Sequence, residues 1–280
     1  KMIKKIIKIL LITFIVLLLS IIYLSIFGIK TDKFNSQIIE NFSKINKKIK
    51  INLKDVNYLL NPYNFTVNIR TENTQILFED RNLEIKNIQT SIALKSLIND
   101  QFSINGLEIK TKKIKLNDII ALVRIFQNSS QLFVLDTIIK GGFLTAKINL
   151  NFNEKGELKK NYKIKGSVEK VKISILNQLK FKNLNFNFDI DKNNYLLKEI
   201  NAQLNNIEIS SPLIEVEENN NLFFVKGELL NKKKNFDIEE IKLIFSDITN
   251  YPEIKKIEFS SKNNFSFNVN KKFKFDNFKI

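Results

Sequence analysis

The hydrophobic pattern changes period twice along the chain. From Ile9 to Ile29 no charged residue occurs, a run that matches the roughly 20 apolar positions a helix needs to cross a bilayer core. Lys1, Lys4, Lys5 and Lys8 precede it. The run is longer than the ~7–15-residue apolar region of a cleaved signal peptide, and no Ala-x-Ala-like site follows. It is therefore read as a retained single-pass anchor, with the N-terminus in the cytoplasm and everything after Lys30 on the far side. Next, Phe34, Ile38, Phe42, Ile45 and Ile49 recur at steps of three and four, which predicts an amphipathic helix over residues 31–48.

From Ile49 onward the period is two. Ile49-Ile51-Leu53, Phe65-Val67-Ile69, Leu83-Ile85 and Thr90-Ile92-Leu94 alternate with polar residues, as half-buried strands do. A short helical stretch is expected at Leu94–Asn99 and a longer helix at Asn117–Gln127. Strands then resume at Leu144–Phe152, Tyr162–Ile164, Val171–Ile175, Leu184–Ile190, Ile207–Ile209, Ile241–Phe245 and Phe265–Val269. Asn- and Gly-containing turns separate them. About 14 such strands, joined mostly by hairpins, predict an antiparallel meander. The organisation expected is anchor 1–30, amphipathic helix 31–48 and β-module 49–280.

Each strand has one apolar and one polar face, so the apolar face needs a cover. A barrel or sandwich would bury it. An open, curved sheet leaves a trough suited to acyl chains. The expected apolar face carries Phe65, Val67, Ile69, Leu184, Phe186, Phe188, Ile190, Phe224, Phe265 and Phe267.

Composition narrows the chemistry. The chain has no Cys, His or Trp, which removes thiol and imidazole catalysis, zinc fingers and disulfides. No cofactor, metal or catalytic residue is expected. The acidic groups Asp189-Ile-Asp191, Glu215-Val-Glu217-Glu218 and Glu239-Glu240 read as solvated surface, and Gly141-Gly142 lacks the Lys-Ser/Thr of a phosphate loop. A net charge of +16 is what a nucleic-acid or anionic-lipid partner would call for, and equally what Lys-rich codon bias on solvated faces would produce. Nucleic acid is not expected, because in Lys271-Lys272-Phe273-Lys274-Phe275 the rings and the charges alternate between faces.

The order of these segments resembles a known family. The anchor ending Ile26-Phe27-Gly28-Ile29 is followed by Phe65-Thr-Val-Asn-Ile69. Then come Leu94-Lys-Ser-Leu97-Ile98, Phe102-Ser-Ile-Asn-Gly-Leu-Glu-Ile109 and Leu135-Asp-Thr-Ile-Ile-Lys-Gly-Gly142. Together they are similar to the amino-terminal region of AsmA-like proteins, the group of AsmA, TamB and YhdP. The resemblance covers the first half of the chain. The second half shares only a strand-Gly-strand texture, as in Tyr162–Val168 and Phe224–Leu229. It implies an inner-membrane protein of a Gram-negative cell with a periplasmic repeating β-groove, non-enzymatic, acting in phospholipid transport or outer-membrane homeostasis. Its partners would be phospholipid acyl chains, the inner membrane and other envelope proteins. The start at Lys1-Met2 and the end in mid-pattern read as fragment boundaries. The alternative reading is a structural scaffold in envelope assembly.

Overall fold

The computed structural model describes residues 2–32, 35–36, 39–40, 43, 46–54, 56–94, 104–127, 129–153, 159, 161–175, 179–205, 207–219, 222–238, 256–272 and 274–279. Helix α1 (Met2–Ile26) is continuous, and none of its apolar window is buried. Its few polar side chains turn inward on the helix. Thr13, Ser20 and Ser25 donate to the carbonyls of Ile9, Val16 and Ile21 at 2.9, 2.8 and 2.7 Å, so these three hydroxyls are satisfied within the helix. By length and composition α1 is able to cross a membrane, as an anchor or as a signal sequence.

Strands follow in the order β1 (Ile29–Thr31), β2 (Ile49–Asn52), β3 (Val56–Asn61), β4 (Thr66–Phe78), β5 (Arg81–Ala93), β6 (Ile104–Thr111) and β7 (Ile114–Lys115). Helices α2 (Leu116–Phe126) and α3 (Ser130–Ile138) interrupt them. Then come β8 (Ile139–Asn151), β9 (Lys163–Ile175), β10 (Leu179–Asp191), β11 (Asn194–Leu204) and β12 (Ile207–Asn219). The last are β13 (Leu222–Asp237), β14 (Lys256–Asn270) and β15 (Phe275–Lys279). Among the described residues the chain is thus mainly antiparallel β, and the expected meander is present. Its hydrogen-bonded order runs β1-β3-β4-β5-β6-β8 and then sequentially to β15, with β2 on β4 and β7 on β8. The ladder is open, since β1 and β15 end it without pairing to each other.

Contacts divide the chain into two compact units, residues 1–114 with 145–163 and residues 115–144 with 164–280. The first has a closed core at one end, where Ile49 pairs with Phe78 and Ile51 with Ile76. Ile49, Val56, Phe78 and Leu83 are almost wholly buried there. Asn35, Ser36, Ile39, Glu40 and Ser43 are helical, within the expected amphipathic helix. The rest of that helix at 33–34, 37–38, 41–42 and 44–45 lies outside the described residues. So do Lys95–Asn99 of the expected short helix and the strand expected at Ile241–Phe245. The longer helix expected at 117–127 is α2. Helix α3 is an addition, started by Ser129, whose hydroxyl accepts from the Leu132 N–H at 3.3 Å.

Straight alternation does not survive the length of a strand. In β4, Val67, Ile69 and Thr71 share a face, but Thr74, Ile76 and Phe78 continue it, with Asn73 between them at φ +50°. The second unit repeats the device. Lys170 (φ +53°) separates Val168 from Val171 in β9, Asn183 (φ +51°) separates Phe181 from Leu184 in β10, and Glu199 (φ +55°) separates Leu197 from Ile200 in β11. One left-handed residue flips the parity and bends the strand, as a β-bulge does, and the ladder between β10 and β11 is irregular at this level. Apolar side chains therefore stay on one face through each bend.

Asparagine side chains hold these bends. Asn185 Nδ2 donates to the Asn183 carbonyl at 2.6 Å and Asn201 Nδ2 to the Glu199 carbonyl at 2.9 Å. Both reach back two residues to the left-handed position. Asn185 Oδ1 also accepts from the Lys170 N–H at 2.8 Å, which ties the bend of β9 to that of β10.

Candidate functional site

The second unit contains the longest run of paired strands, and their register fixes which side chains share its apolar face. Phe188 pairs with Leu197, Leu197 with Ile214, Ile214 with Gly227 and Gly227 with Phe265. One step along, Ile190, Tyr195, Val216, Val225 and Phe267 form the next row. Aromatic rings line it. Phe186 meets Phe188 edge-on at 6.5 Å, Tyr195 meets Phe223 at 6.4 Å, and Phe267 touches Phe265, Phe275 and Phe278 at 6.0, 5.4 and 5.8 Å. Gly227 makes room for this packing, because a Cβ there would lie 3.0 Å from the Phe265 ring and from Ile214 Cγ1.

The decisive property of this face is its exposure. Central-strand residues such as Phe186, Phe188, Leu197, Ile214, Val225 and Phe267 are only half-buried, whereas a covered sheet would enclose them. Among the described residues no second layer lies over β10–β14. Fully buried positions in this unit include Val168 and Val171 on β9, Ala202 on β11, Ser211 on β12 and Ile120 on α2.

The α2–α3 pair occupies one margin. Leu116 of α2 sits against Gly142 and Val171. Gly142 has φ +131°, and a Cβ on it would come within 2.8 Å of the Val171 backbone. Asp136 of α3 pairs with Arg124 of α2, and the same guanidinium lies over the Phe133 ring. At the start of α3, Gln131 Nε2 donates to the Lys271 carbonyl at 2.9 Å. Eight helical steps of ~1.5 Å from Ile139 plus one glutamine side chain reach roughly 20 Å. Six strand spacings of ~4.8 Å would put β14 about 29 Å from β8 in a flat sheet. Within this unit the strands from β8 to β14 must therefore bend toward one another.

A polar group closes the same end of the face. Tyr195 Oη donates to Glu218 Oε2 at 3.1 Å, and Lys271 Nζ lies 3.4 Å from Glu218 Oε1. Glu218, expected as solvated surface, does not lie on the wetted face. It pairs with Phe223, and the parity of Ile214 and Val216 already carries it inward. The opposite face is charged: Glu215 pairs with Lys226 at 2.7 Å, Asp189 with Lys165 at 2.7 Å and Glu228 with Lys262 at 2.9 Å. The hydrogen bond and charge of Glu215 hold the Lys226 ammonium above its ordinary pKa. A shallow depression of about 520 Å³ on this side is lined by Glu215, Lys226, Glu228 and Lys279 among others. Among the described residues no three His, Cys, Asp or Glu side chains gather as a metal site would require.

Of the expected face residues, Leu184, Phe186, Phe188 and Ile190 fall on one side of β10, and Phe265 and Phe267 on the matching side of β14. Two need correction. Phe224 pairs with Glu217 and Asn268 and belongs to the charged face at 39% exposure. In the run Leu222-Phe223-Phe224-Val225 both parities are apolar, and the pairing of Val225 with Phe267 settles which points inward. Phe65 is not a strand residue. It lies in the turn before β4 at φ +48° and is 71% exposed. Val67 and Ile69 do lie on a common face, in the first unit, paired with Leu60 and Tyr58.

No family model matches this chain, and neither a curated protein nor a solved structure matches it.

Proposed function

We propose that the chain is a membrane-anchored, non-enzymatic lipid-binding groove, in which the uncovered apolar face of β10–β14 receives phospholipid acyl chains. The observation that carries this reading is the combination of an aromatic, half-buried face with no covering layer among the described residues. A contiguous apolar surface of that kind on a folded domain marks a binding site. Apart from the Tyr195–Glu218–Lys271 group at one end, its charged residues lie on the outer face, which favours a long apolar ligand over one read by polar groups. Sheltering each methylene recovers up to about 0.8 kcal/mol, so a chain lying on the rings offsets much of the cost of leaving a bilayer.

In this reading α1 is retained, the N-terminus is cytoplasmic and the strands lie in the periplasm. The activity proposed, from the resemblance of the sequence to AsmA-like proteins, is phospholipid movement between inner and outer membranes or a part in outer-membrane homeostasis. The test is site-specific photocrosslinking in cells. A photoreactive side chain at Phe188 should capture phospholipid and one at Phe224 should not. Equal capture at both, or at neither, defeats the groove and leaves the envelope scaffold as the reading to pursue.

A further inference from the structure

Charge is distributed unevenly over the first unit. One continuous row of paired residues crosses its sheet: Lys30, Asn57, Arg70, Gln89, Glu108 and Asn149. On one side of this row charged residues are frequent, among them Glu72, Glu79, Asp80, Arg81, Glu84, Lys86, Lys110 and Lys147. On the other side, the described residues of β3 to β6 and β8 carry none. Tyr58 to Ile69, Thr90 to Leu94, Ile104 to Leu107 and Leu150 to Asn153 are all uncharged. In a chain that is 26% charged, such segregation across five neighbouring strands is a property of place.

The end where these uncharged strand segments lie is where α1 arrives, and Lys159 adjoins it, its N–H donating to the Asn151 carbonyl at 2.7 Å. Strand β1 is antiparallel to β3, with Ile29 opposite Tyr58. Going back along the chain from Ile29 therefore means travelling toward the far end of β3. Gly28 (φ +66°) makes the junction tight, since a Cβ there would lie 2.5 Å from the Tyr58 carbonyl and 3.0 Å from Leu59 Cγ. The last turns of α1 pack beside β3, and Ile21, Leu24 and Ser25 are partly covered while most of the helix is bare. Three strand residues of ~3.3 Å carry β3 about 10 Å past Tyr58. In that distance α1 rises through roughly two turns. The turn joining β3 to β4 thus stands level with apolar residues of α1.

This turn, Asn61-Pro62-Tyr63-Asn64-Phe65, presents two aromatic side chains outward, Tyr63 at 93% and Phe65 at 71% exposure. Its backbone is satisfied from within. Asn61 Oδ1 accepts from the N–H groups of Tyr63 at 3.1 Å and Asn64 at 3.3 Å, and the Phe65 carbonyl accepts from the Leu94 N–H at 2.8 Å. Exposed rings over a backbone that needs little water are what the bilayer interface selects.

We propose that the uncharged strand segments at this end of the first unit are seated in the headgroup layer of the bilayer that α1 spans, with the Tyr63–Phe65 tip inserted beside the helix. The row from Lys30 to Asn149 then marks the level at which the protein leaves the lipid. This inference rests on reading α1 as a retained anchor.

The chain contains no tryptophan, so single-Trp variants of the full chain report position directly. Y63W, L17W and D80W would be reconstituted into vesicles of phosphatidylethanolamine and phosphatidylglycerol with brominated acyl chains. The inference expects Y63W emission to be blue-shifted and to lose most of its intensity with bromines near the carbonyl end of the chains. L17W should be quenched by bromines at any deep position, and D80W, in the turn at the opposite end of β4, should be unaffected. Y63W emission like that of D80W, with L17W still quenched, overturns the inference and leaves the anchor intact. A blue shift at Y63W without bromine quenching means that a protein surface covers the tip, and overturns it too. An unquenched L17W removes the anchor and this inference with it. Trypsin patterns matching the parent chain establish that each variant is folded.

Discussion

A charge on the apolar face separates a groove from a core. Phe186 is half-buried on β10, with its ring against Phe188 at 6.5 Å. Replacing it by Asp forfeits about half the burial of a phenylalanine, roughly 1–1.5 kcal/mol, and an aromatic pair of about 0.5–1.5 kcal/mol. Loss of some 2 kcal/mol lies within the ~5–15 kcal/mol that keeps a domain folded, so F186D should fold with a lowered melting temperature. Its effect on an acyl chain should be larger. A ring touches about three methylenes on one side, near 0.4 kcal/mol each, and the new carboxylate adds roughly 1–3 kcal/mol if lipid strips its water. The sum, about 3 kcal/mol, is a loss of roughly a hundredfold in occupancy.

The comparison variant is set by the register. N187D is unsuitable because Asn187 Nδ2 donates to Glu199 Oε2 at 2.7 Å, and a second carboxylate would repel the first. F224D lies on the charged face, where its exposed neighbour Glu217 costs roughly 0.5 kcal/mol. The assay is phospholipid captured by a photocrosslinker at Phe267 in F186D, F224D and the parent chain, with thermal unfolding run in parallel. F186D should capture little and F224D as much as the parent. If F186D folds and captures as much as the parent, the face is not a lipid path. If F186D fails to fold, the face is an enclosed core and the reasoning is equally wrong.

Three further outcomes follow from local geometry. Lys170 holds φ +53° with an exposed side chain, so K170G should remove a left-handed penalty of roughly 1 kcal/mol and raise the melting temperature by a few degrees; an unchanged or lower value would refute the strain. G142A drives a Cβ to 2.8 Å from the Val171 backbone at φ +131° and should cost about 3 kcal/mol, read as a lower denaturant midpoint; a loss below about 1 kcal/mol would show that the α2 contact is loose. Hydrogen bonds from Lys110 and Lys147, at 2.9 Å each, hold the Glu108 carboxyl below its ordinary value of 4.5. The stabilisation is then present above that value and lost as pH falls through the depressed one. The advantage of the parent chain over E108Q in denaturant unfolding should therefore be full at neutral pH and vanish in acid, and a pH-independent difference would contradict the pairing.

Much of this arrangement is legible in the sequence because alternation is a local property. Leu184-Phe186-Phe188-Ile190 needs no partner to declare its face, and the three-four spacing of Ile119, Ile120, Val123 and Phe126 declares α2. What escapes is decided between strands. Phe224 and Phe223 are equivalent until Val225 pairs with Phe267, and Phe65 reads as strand until the turn that follows β3 at Asn61, four residues earlier, takes it in. Helix α3 escapes for another reason. Leu132-Phe133-Val134-Leu135 is apolar without period, and only the Ser129 cap distinguishes it from a buried strand.

The bends are the most instructive omission, because their signal is present but looks like bias. A sequence this rich in asparagine and poor in glycine invites a compositional explanation. Yet asparagine tolerates the left-handed region better than other residues with a Cβ, and Asn73 and Asn183 occupy it in mid-strand. Where the left-handed residue is Glu199, Asn201 supplies the amide that reaches back to its carbonyl. Where it is Lys170, Asn185 binds its N–H from the next strand. Each bend reverses the alternation, so a strand of 13 residues such as β10 is two short alternating segments of opposite parity. Read as one segment, Leu179 and Phe181 fall on the face opposite Leu184, Phe186, Phe188 and Ile190. Read as two, all of them fall on the same one, and a bent sheet with a continuous apolar side follows from local residue choices without any glycine at the bends.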